Sequence, residues 1–241
     1  MSTLGKAFHL WRNNATCGVV AKYVAASCAR PFRKNKHADR VAALRQFARD
    51  NDFKHDWFTA NVPYWMDIFQ EQGLTGRPIR AMEIGSFEGL SACFTLQELP
   101  QAHLTCVDTW DGSDELTALA FDSVERAFDR HVQPWQDRVT KKKMTSLRYL
   151  ADLGRDEKFD LIYVDGSHHG DDVMLDVVLC FEHLKVGGVM ILDDYLWRYY
   201  PRSAEEPARA INSFLRLCEG RHKLLMAYRQ VAIVKTTERS T

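Results

Sequence analysis

Three aspartates and two histidines stand at the ends of two short apolar runs. The first run is Phe159-Asp-Leu-Ile-Tyr-Val-Asp165-Gly-Ser-His-His169, and the second is Gly187-Gly-Val-Met-Ile-Leu-Asp-Asp194. An apolar run of this length, bounded by turn residues, reads as a strand buried on both faces of a parallel sheet. Ligands of such sheets lie just beyond the carboxyl ends of the strands. Asp165, Asp193 and Asp194 are therefore expected at one sheet edge, with His168 beside them. Crowded carboxylates repel one another unless a proton or a cation neutralises them. The pattern points to a hard divalent cation, Mg2+ or a similar ion, in a catalytic cleft. Zinc fits less well, because no Cys/His set has the usual ligand spacing.

A second group lies earlier, in Ala81-Met-Glu-Ile-Gly85-Ser-Phe-Glu-Gly89-Leu-Ser91. Glycines in a strand-to-helix turn let backbone approach a ligand closely, and the helix N-terminus adds partial positive charge. The dinucleotide fingerprint Gly-x-Gly-x-x-Gly is not met, because Phe87 stands where the second glycine belongs. Glu83 would repel a phosphate and attract an amine. The next apolar run ends Leu104-Thr-Cys-Val-Asp108-Thr-Trp110. An acid there, some twenty residues past the glycine turn, suits the two hydroxyls of a ribose. Trp110 either borders an adenine or belongs to the core. Ser146 either meets the adenine edge or simply caps a helix. Beyond the second acidic pair, Tyr195-Leu-Trp-Arg-Tyr-Tyr-Pro-Arg202 offers Trp197, Tyr199 and Tyr200 as pocket walls, with Arg198 or Arg202 to meet an anion.

The elements that must position these residues alternate along the chain. Strands are expected at Ile79–Ile84, His103–Val107, Arg138–Met144, Phe159–Val164 and Val189–Leu192. Between and around them helices are expected at Trp57–Gly73, Gly89–Leu99, Leu116–His131, Ser146–Leu153, Asp171–Leu184 and Glu205–Glu219, with Ser146 as an N-cap. Lys223–Arg229 and Val231–Lys235 have no helix between them and should pair antiparallel. Repeated strand–helix units imply an α/β, doubly wound, mainly parallel sheet. Residues 1–54 read as a basic, mainly helical N-terminal extension with a break near Arg30-Pro31, and residues 55–241 as one domain.

Composition narrows the class. Hydrophobic content of 46% and charged content of 27% are ordinary for a globular chain. The net charge of zero hides an asymmetry: residues 1–50 hold ten Lys/Arg against two Asp/Glu. A solvated arm accounts for this, while an acidic partner, a membrane surface or nucleic acid are the alternatives. No recognition motif accompanies the charge, so nucleic acid is not the expected partner. No apolar run is long enough to span a bilayer, and the first residues lack the apolar core of a signal peptide. The six cysteines are scattered without a Cys-x-x-Cys pair, which fits a reducing cytoplasm.

Taken together, Glu-x-Gly-x-x-x-Gly-x-Ser, the acid Asp108, Val-Asp-Gly-Ser-His and Gly-Gly-Val-Met-Ile-Leu-Asp-Asp resemble the class I S-adenosylmethionine-dependent methyltransferases. The resemblance runs from about Arg80 to Lys235 and is nearest to the metal-dependent group related to catechol and macrolide-sugar O-methyltransferases. It implies a Rossmann-like sheet of seven strands ending in a reversed hairpin. It implies a cofactor side of Glu83, Gly85, Ser86, Gly89, Ser91, Asp108, Thr109, Trp110 and Ser146, with Asp108 on the ribose. It also implies magnesium on Asp165, Asp193 and Asp194. Catechol methyltransferases carry Asp-Asn at the second acidic motif, whereas this chain carries Asp-Asp, as the sugar methyltransferases do. Relatives place a lysine or histidine three residues past the acid of Asp165, so His168 is the expected base and His169 its understudy; a histidine pKa of about 6.5 suits that duty. The expected reaction is transfer of a methyl group from S-adenosylmethionine to a hydroxyl of a small-molecule acceptor, by a chain that is free or paired with a second copy. Two other readings compete: a nicotinamide-dependent oxidoreductase on a Rossmann-like fold, and a non-catalytic module binding S-adenosylmethionine or nucleic acid.

Overall fold

Seven strands form one sheet: β1 (Ile79–Ile84), β2 (Ala102–Asp108), β3 (Val139–Lys143), β4 (Phe159–Val164), β5 (Leu184–Leu192), β6 (His222–Ala227) and β7 (Val231–Lys235). Their order is β3-β2-β1-β4-β5-β7-β6. The computed structural model describes residues 2–112 and 121–239. Pairing is parallel for β1–β2, β2–β3 and β4–β5, and antiparallel for β5–β7 and β6–β7. The sheet is thus α/β and mostly parallel, with a reversed C-terminal pair. The chain groups into two compact units, residues 32–152 and residues 1–31 with 153–241. The expected extension, residues 1–54, contributes to both.

In the unit of residues 32–152, β1 and β2 read as apolar runs because both their faces are covered. Helix α5 (Leu90–Glu98) is buried on nearly every side, which explains its lack of a polar face. Arg138 closes its C-terminal end, donating to the carbonyls of Leu96 (3.1 Å), Leu99 (3.3 Å) and Ala102 (3.1 Å). Helix α4 (Val62–Glu71) starts with Pro63 in its first turn and buries Trp65 and Phe69 against Phe94. The expected helix from Trp57 therefore begins later, after a single turn at Thr59–Asn61. Helix α6 (Phe121–Val132) matches the later part of the helix expected at 116–131; residues 116–120 of that expectation lie outside the described residues. Helix α7 (Ser146–Asp152) is capped not by Ser146 but by Thr145, whose hydroxyl accepts the Arg148 amide at 3.3 Å. Ser146 is already inside the helix, which leaves the capping role one residue earlier.

In the other unit, helix α8 (Gly170–Glu182) packs on α9 (Pro207–Leu217), with Phe181 meeting Phe214 edge to face at 5.4 Å. Helix α1 (Thr3–Arg12) is tied to α9 just past its end, where Asn212 and Arg216 donate to the carbonyls of Asn13 and Asn14, each at 2.9 Å. The break expected near Pro31 does not occur: α2 (Cys17–Lys36) runs through it. The proline removes one helical hydrogen bond, but the last turn is anchored downstream. Arg33, Lys36 and His37 all bond the Asp67 carboxylate, at 3.0, 2.6 and 2.9 Å. These anchoring residues and helix α3 (Ala38–Asp50), which follows, belong to the unit of residues 32–152. Among the described residues no helix is long and apolar enough to cross a membrane.

Candidate active site

Two clusters of functional side chains sit at strand ends. In the first, β4 and β5 run parallel with Val164 opposite Leu192, and the Asp193 amide donates to the Val164 carbonyl at 2.9 Å. This register carries Asp165 and Asp193 off adjacent strand ends together. Asp194 follows with φ +52°, a left-handed conformation that aspartate tolerates better than bulky residues. The resulting turn is closed by the Trp197 amide on the Asp194 carbonyl at 2.9 Å. It brings Asp194 Oδ2 to 2.8 Å from His168 Nε2.

One ligand atom each from Asp165, His168 and Asp194 lies within 4.8 Å of the other two. Two carboxylates and an imidazole suit a hard or borderline divalent cation. A small cavity of about 10 Å³, with Asp165, Asp193, Asp194 and Gly166 in its lining, has room for about one water-sized occupant. The oxygens of Asp193 are engaged by protein partners. Its Oδ1 accepts the Asp194 amide at 2.7 Å, and its Oδ2 accepts Gln230 Nε2 at 2.6 Å and contacts the Tyr163 hydroxyl. Tyr163 also donates to Asp165 Oδ2 at 2.7 Å. A phenol has one proton and cannot serve two carboxylates as donor. A proton on Asp193, given to the Tyr163 oxygen, satisfies both contacts. Burial first, and the Asp194 charge second, push Asp193 up to about 6. Burial and both carboxylates push the Tyr163 phenol well above its ordinary value, so it remains a donor.

Aromatic rings fix the two histidines. Trp197 stacks on His168 with centroids 4.4 Å apart, and Tyr200 stacks on His169 at the same separation. His168 is thereby held against Asp194. Tyr163, Gln230 and the Trp197 stack were not singled out from the sequence as partners of the acids. Tyr163 was the one visible signal, a polar side chain inside an otherwise apolar strand.

The second cluster lies at the end of β1. Gly85 and Gly89 take φ +81° and +86°, and Phe87 takes φ +47°. Gly89 opens α5 without any side-chain cap, leaving the first helical amides to other partners. Glu83 is turned inward: its carboxylate accepts Ser86 Oγ at 2.9 Å and the Ser91 hydroxyl, with Cys106 Sγ at 3.7 Å. Burial pushes it up to about 7 against the Ser91 and Ser86 hydrogen bonds, helped by the Asp108 charge. Asp108 accepts three amides: Ser86 (2.8 Å) and Phe87 (2.9 Å) on Oδ2, and Trp110 (2.7 Å) on Oδ1. A carboxylate has about four lone-pair sites, so this geometry still accommodates a hydroxyl donor. Trp110 is buried, its Nε1 donates to the Phe87 carbonyl at 2.9 Å, and its ring packs on Phe128 with Lys141 above it. It locks the glycine turn from the core side. Thr109 Oγ1 accepts the Asp111 amide at 3.2 Å, and Ser146 is half-buried in the first turn of α7.

The glycine turn also has an aromatic rim that sequence reasoning passed over. Glu88 Oε1 meets His55 Nδ1 at 3.0 Å, while its Oε2 accepts the Lys54 amide at 2.9 Å. Trp57, which is exposed, stacks on Phe87 at 4.8 Å. No spacing signal links residues 54–57 to 87–88, because a fold and not a motif joins them.

Residues 82–195 match a family model described as a methyltransferase domain. O-methyltransferase hkm8 of Aspergillus hancockii is 31% identical over 139 residues, covering 56% of this chain and 50% of the relative. The chain thus spans about half the length of the curated relative it matches. Among solved structures, the O-methyltransferase TomG of Streptomyces achromogenes, in complex with S-adenosylmethionine, superposes with a TM-score of 0.54 at 16% identity, over 82% of this chain and 89% of TomG. The methyltransferase PaMTH1 of Podospora anserina, bound to S-adenosylhomocysteine, gives 0.56 at 16% identity, over 84% and 96%. MycE, a methyltransferase of mycinamycin biosynthesis in complex with Mg, S-adenosylhomocysteine and mycinamycin VI, gives 0.56 at 15% identity, over 80% of this chain and 54% of MycE. Over residues 82–195 the chain is thus similar to a methyltransferase domain, and its seven-stranded, mostly parallel sheet with a reversed C-terminal pair is the fold that the resemblance to class I S-adenosylmethionine-dependent methyltransferases implies.

Proposed function

We propose that the chain transfers a methyl group from S-adenosylmethionine to a hydroxyl of a small molecule, assisted by a divalent cation. The observation that carries the cation is the grouping of Asp165 and Asp194 with His168, the two carboxylates also lining a cavity of about 10 Å³. S-adenosylmethionine, when bound, supplies a methyl already activated by its sulfonium. A divalent cation, when bound, lowers the pKa of an acceptor hydroxyl and orients neighbouring oxygens. Asp165 and Asp194 are assigned as its ligands. Asp193, expected as a third ligand, is assigned a supporting role, since its oxygens are already engaged by the Asp194 amide, the Gln230 amide group and the Tyr163 hydroxyl.

The protein's own groups then do three things. Asp108 would accept one ribose hydroxyl of the cofactor, and the uncapped amides at the start of α5 would receive its carboxylate. Trp197 and Asp194 hold the His168 ring in one orientation. If Nε2–H donates to Asp194, the lone pair sits on Nδ1, and that atom takes the acceptor proton. Asp193, Tyr163 and Gln230 hold the acidic turn rigid, which contributes to rate through orientation. The oxidoreductase reading loses its footing with Phe87 in the glycine turn, where its side chain stacks on Trp57.

The test is transfer of label from methyl-tritiated S-adenosylmethionine to a panel of catechols and vicinal-diol sugars, with EDTA and then with added magnesium. Turnover lost in EDTA and restored by magnesium supports the assignment. Full turnover in EDTA removes the cation, and label transfer undiminished in His168→Ala removes the base.

A further inference from the structure

We propose that the N-terminal helix α1 is a docking surface for an anionic lipid bilayer. The two buried positions of α1, Ala7 and Leu10, face the rest of the unit. A different face carries Leu4, Phe8 and Trp11, spaced four and three residues apart, so they form one stripe along the helix. They are 79%, 58% and 61% exposed. Single exposed apolar residues are ordinary, but three in line on one helix are not. Phe8 and Trp11 stack with centroids 6.0 Å apart, which fuses them into one apolar ridge.

The helix has no reason to roll this stripe inward, because its seat is fixed on another face. Asn212 and Arg216 hold the backbone just after α1, and Glu206 lies 3.5 Å from His9 Nε2. The stripe is therefore presented outward by a pinned helix.

Charge selects the occupant. Residues 1–31, which lie in the same compact unit as α1, contain four Lys/Arg and no Asp/Glu. Arg12 stands exposed beside the stripe, and Lys22 and Arg30 are exposed on α2. A second copy of the chain would bring like charges together at the contact, which disfavours self-association through this face. An anionic bilayer answers both features. Its headgroups attract the basic residues, and its interface accepts Leu, Phe and Trp side chains to a depth of roughly 5–10 Å. Single-stranded nucleic acid would use the charge and the rings but leave Leu4 without a role. The arm would hold the chain at the bilayer surface without crossing it.

The full chain is floated with phosphatidylcholine vesicles, with and without phosphatidylglycerol. Binding to the anionic vesicles alone is expected, falling steeply as salt rises. Phe8→Ser with Trp11→Ser should weaken it at least about tenfold. Arg12→Gln should weaken it roughly fivefold, the effect of one basic residue at such a surface. These side chains are exposed, so the variants should melt at the wild-type temperature, and that measurement separates lost docking from lost folding. The proposal is overturned if the wild type ignores anionic vesicles, or if the double variant floats as well as the wild type. It is equally overturned if sedimentation shows a wild-type dimer that Trp11→Ser dissociates, or if single-stranded RNA binds the arm and displaces the vesicles. None of these readouts depends on methyl transfer.

Discussion

Replacing Glu83 by glutamine should remove a pH-dependent loss of stability that the wild type carries. Glu83 is buried beneath the glycine turn, and its carboxyl is pushed from 4.5 up to about 7. A carboxyl whose folded pKa exceeds its unfolded value binds its proton more tightly in the folded state. It therefore favours folding below pH 4.5, and that contribution is lost as pH rises through 7. Each unit corresponds to about 1.4 kcal/mol, so the full swing is about 3 kcal/mol. Between pH 5 and pH 8 the part that falls in the window is about 2–3 kcal/mol. For a chain of this size that is roughly 5–10 °C in Tm. Glutamine has nearly the same shape, accepts one serine hydroxyl and donates to the other, and never ionises. Thermal melts of both proteins at pH 5 and pH 8 isolate the effect, since every other titrating group is common to the two. The wild type should lose the stated margin relative to Glu83→Gln. Parallel pH dependence in the two proteins would refute the buried, ionisable environment argued for Glu83.

Three further outcomes are expected. Gly89→Ala should destabilise by about 1–3 kcal/mol, because the backbone has φ +86° and a Cβ would stand 3.0 Å from Phe128; an unchanged melting temperature would contradict it. Arg138→Met should lower stability by about 2 kcal/mol through the loss of bonds to the Leu96 and Leu99 carbonyls at the end of α5 and to the Ala102 carbonyl at the start of β2, measured as a shift in urea midpoint at constant slope. His168→Ala should cut turnover at least about a hundredfold while leaving S-adenosylhomocysteine affinity intact; equal losses in both would recast His168 as structural.

The acids at the ends of β4 and β5 were legible because an apolar run that stops at carboxylates says both where the strand ends and what its end offers. The partners of those acids were not. Gln230 reaches Asp193 only because the antiparallel pair β5–β7 sets Leu192 opposite Val231, and no local pattern encodes that return. Asp108 was legible as an acid at a strand end. Its three amide partners follow from the left-handed turn at Phe87, a conformation that residue type does not announce. Pro31 misled because a helix break is a local tendency, and the ion pairs of Arg33 and Lys36 with Asp67 override it. Thr145 and Ser146 are both good caps, so sequence alone could not choose between neighbours.

Titration calorimetry of the purified chain with S-adenosylhomocysteine tests the central claim most directly. One site per chain is expected, with clearly weaker binding in Asp108→Ala. No heat and no thermal stabilisation at millimolar ligand would contradict the assignment of a working methyltransferase.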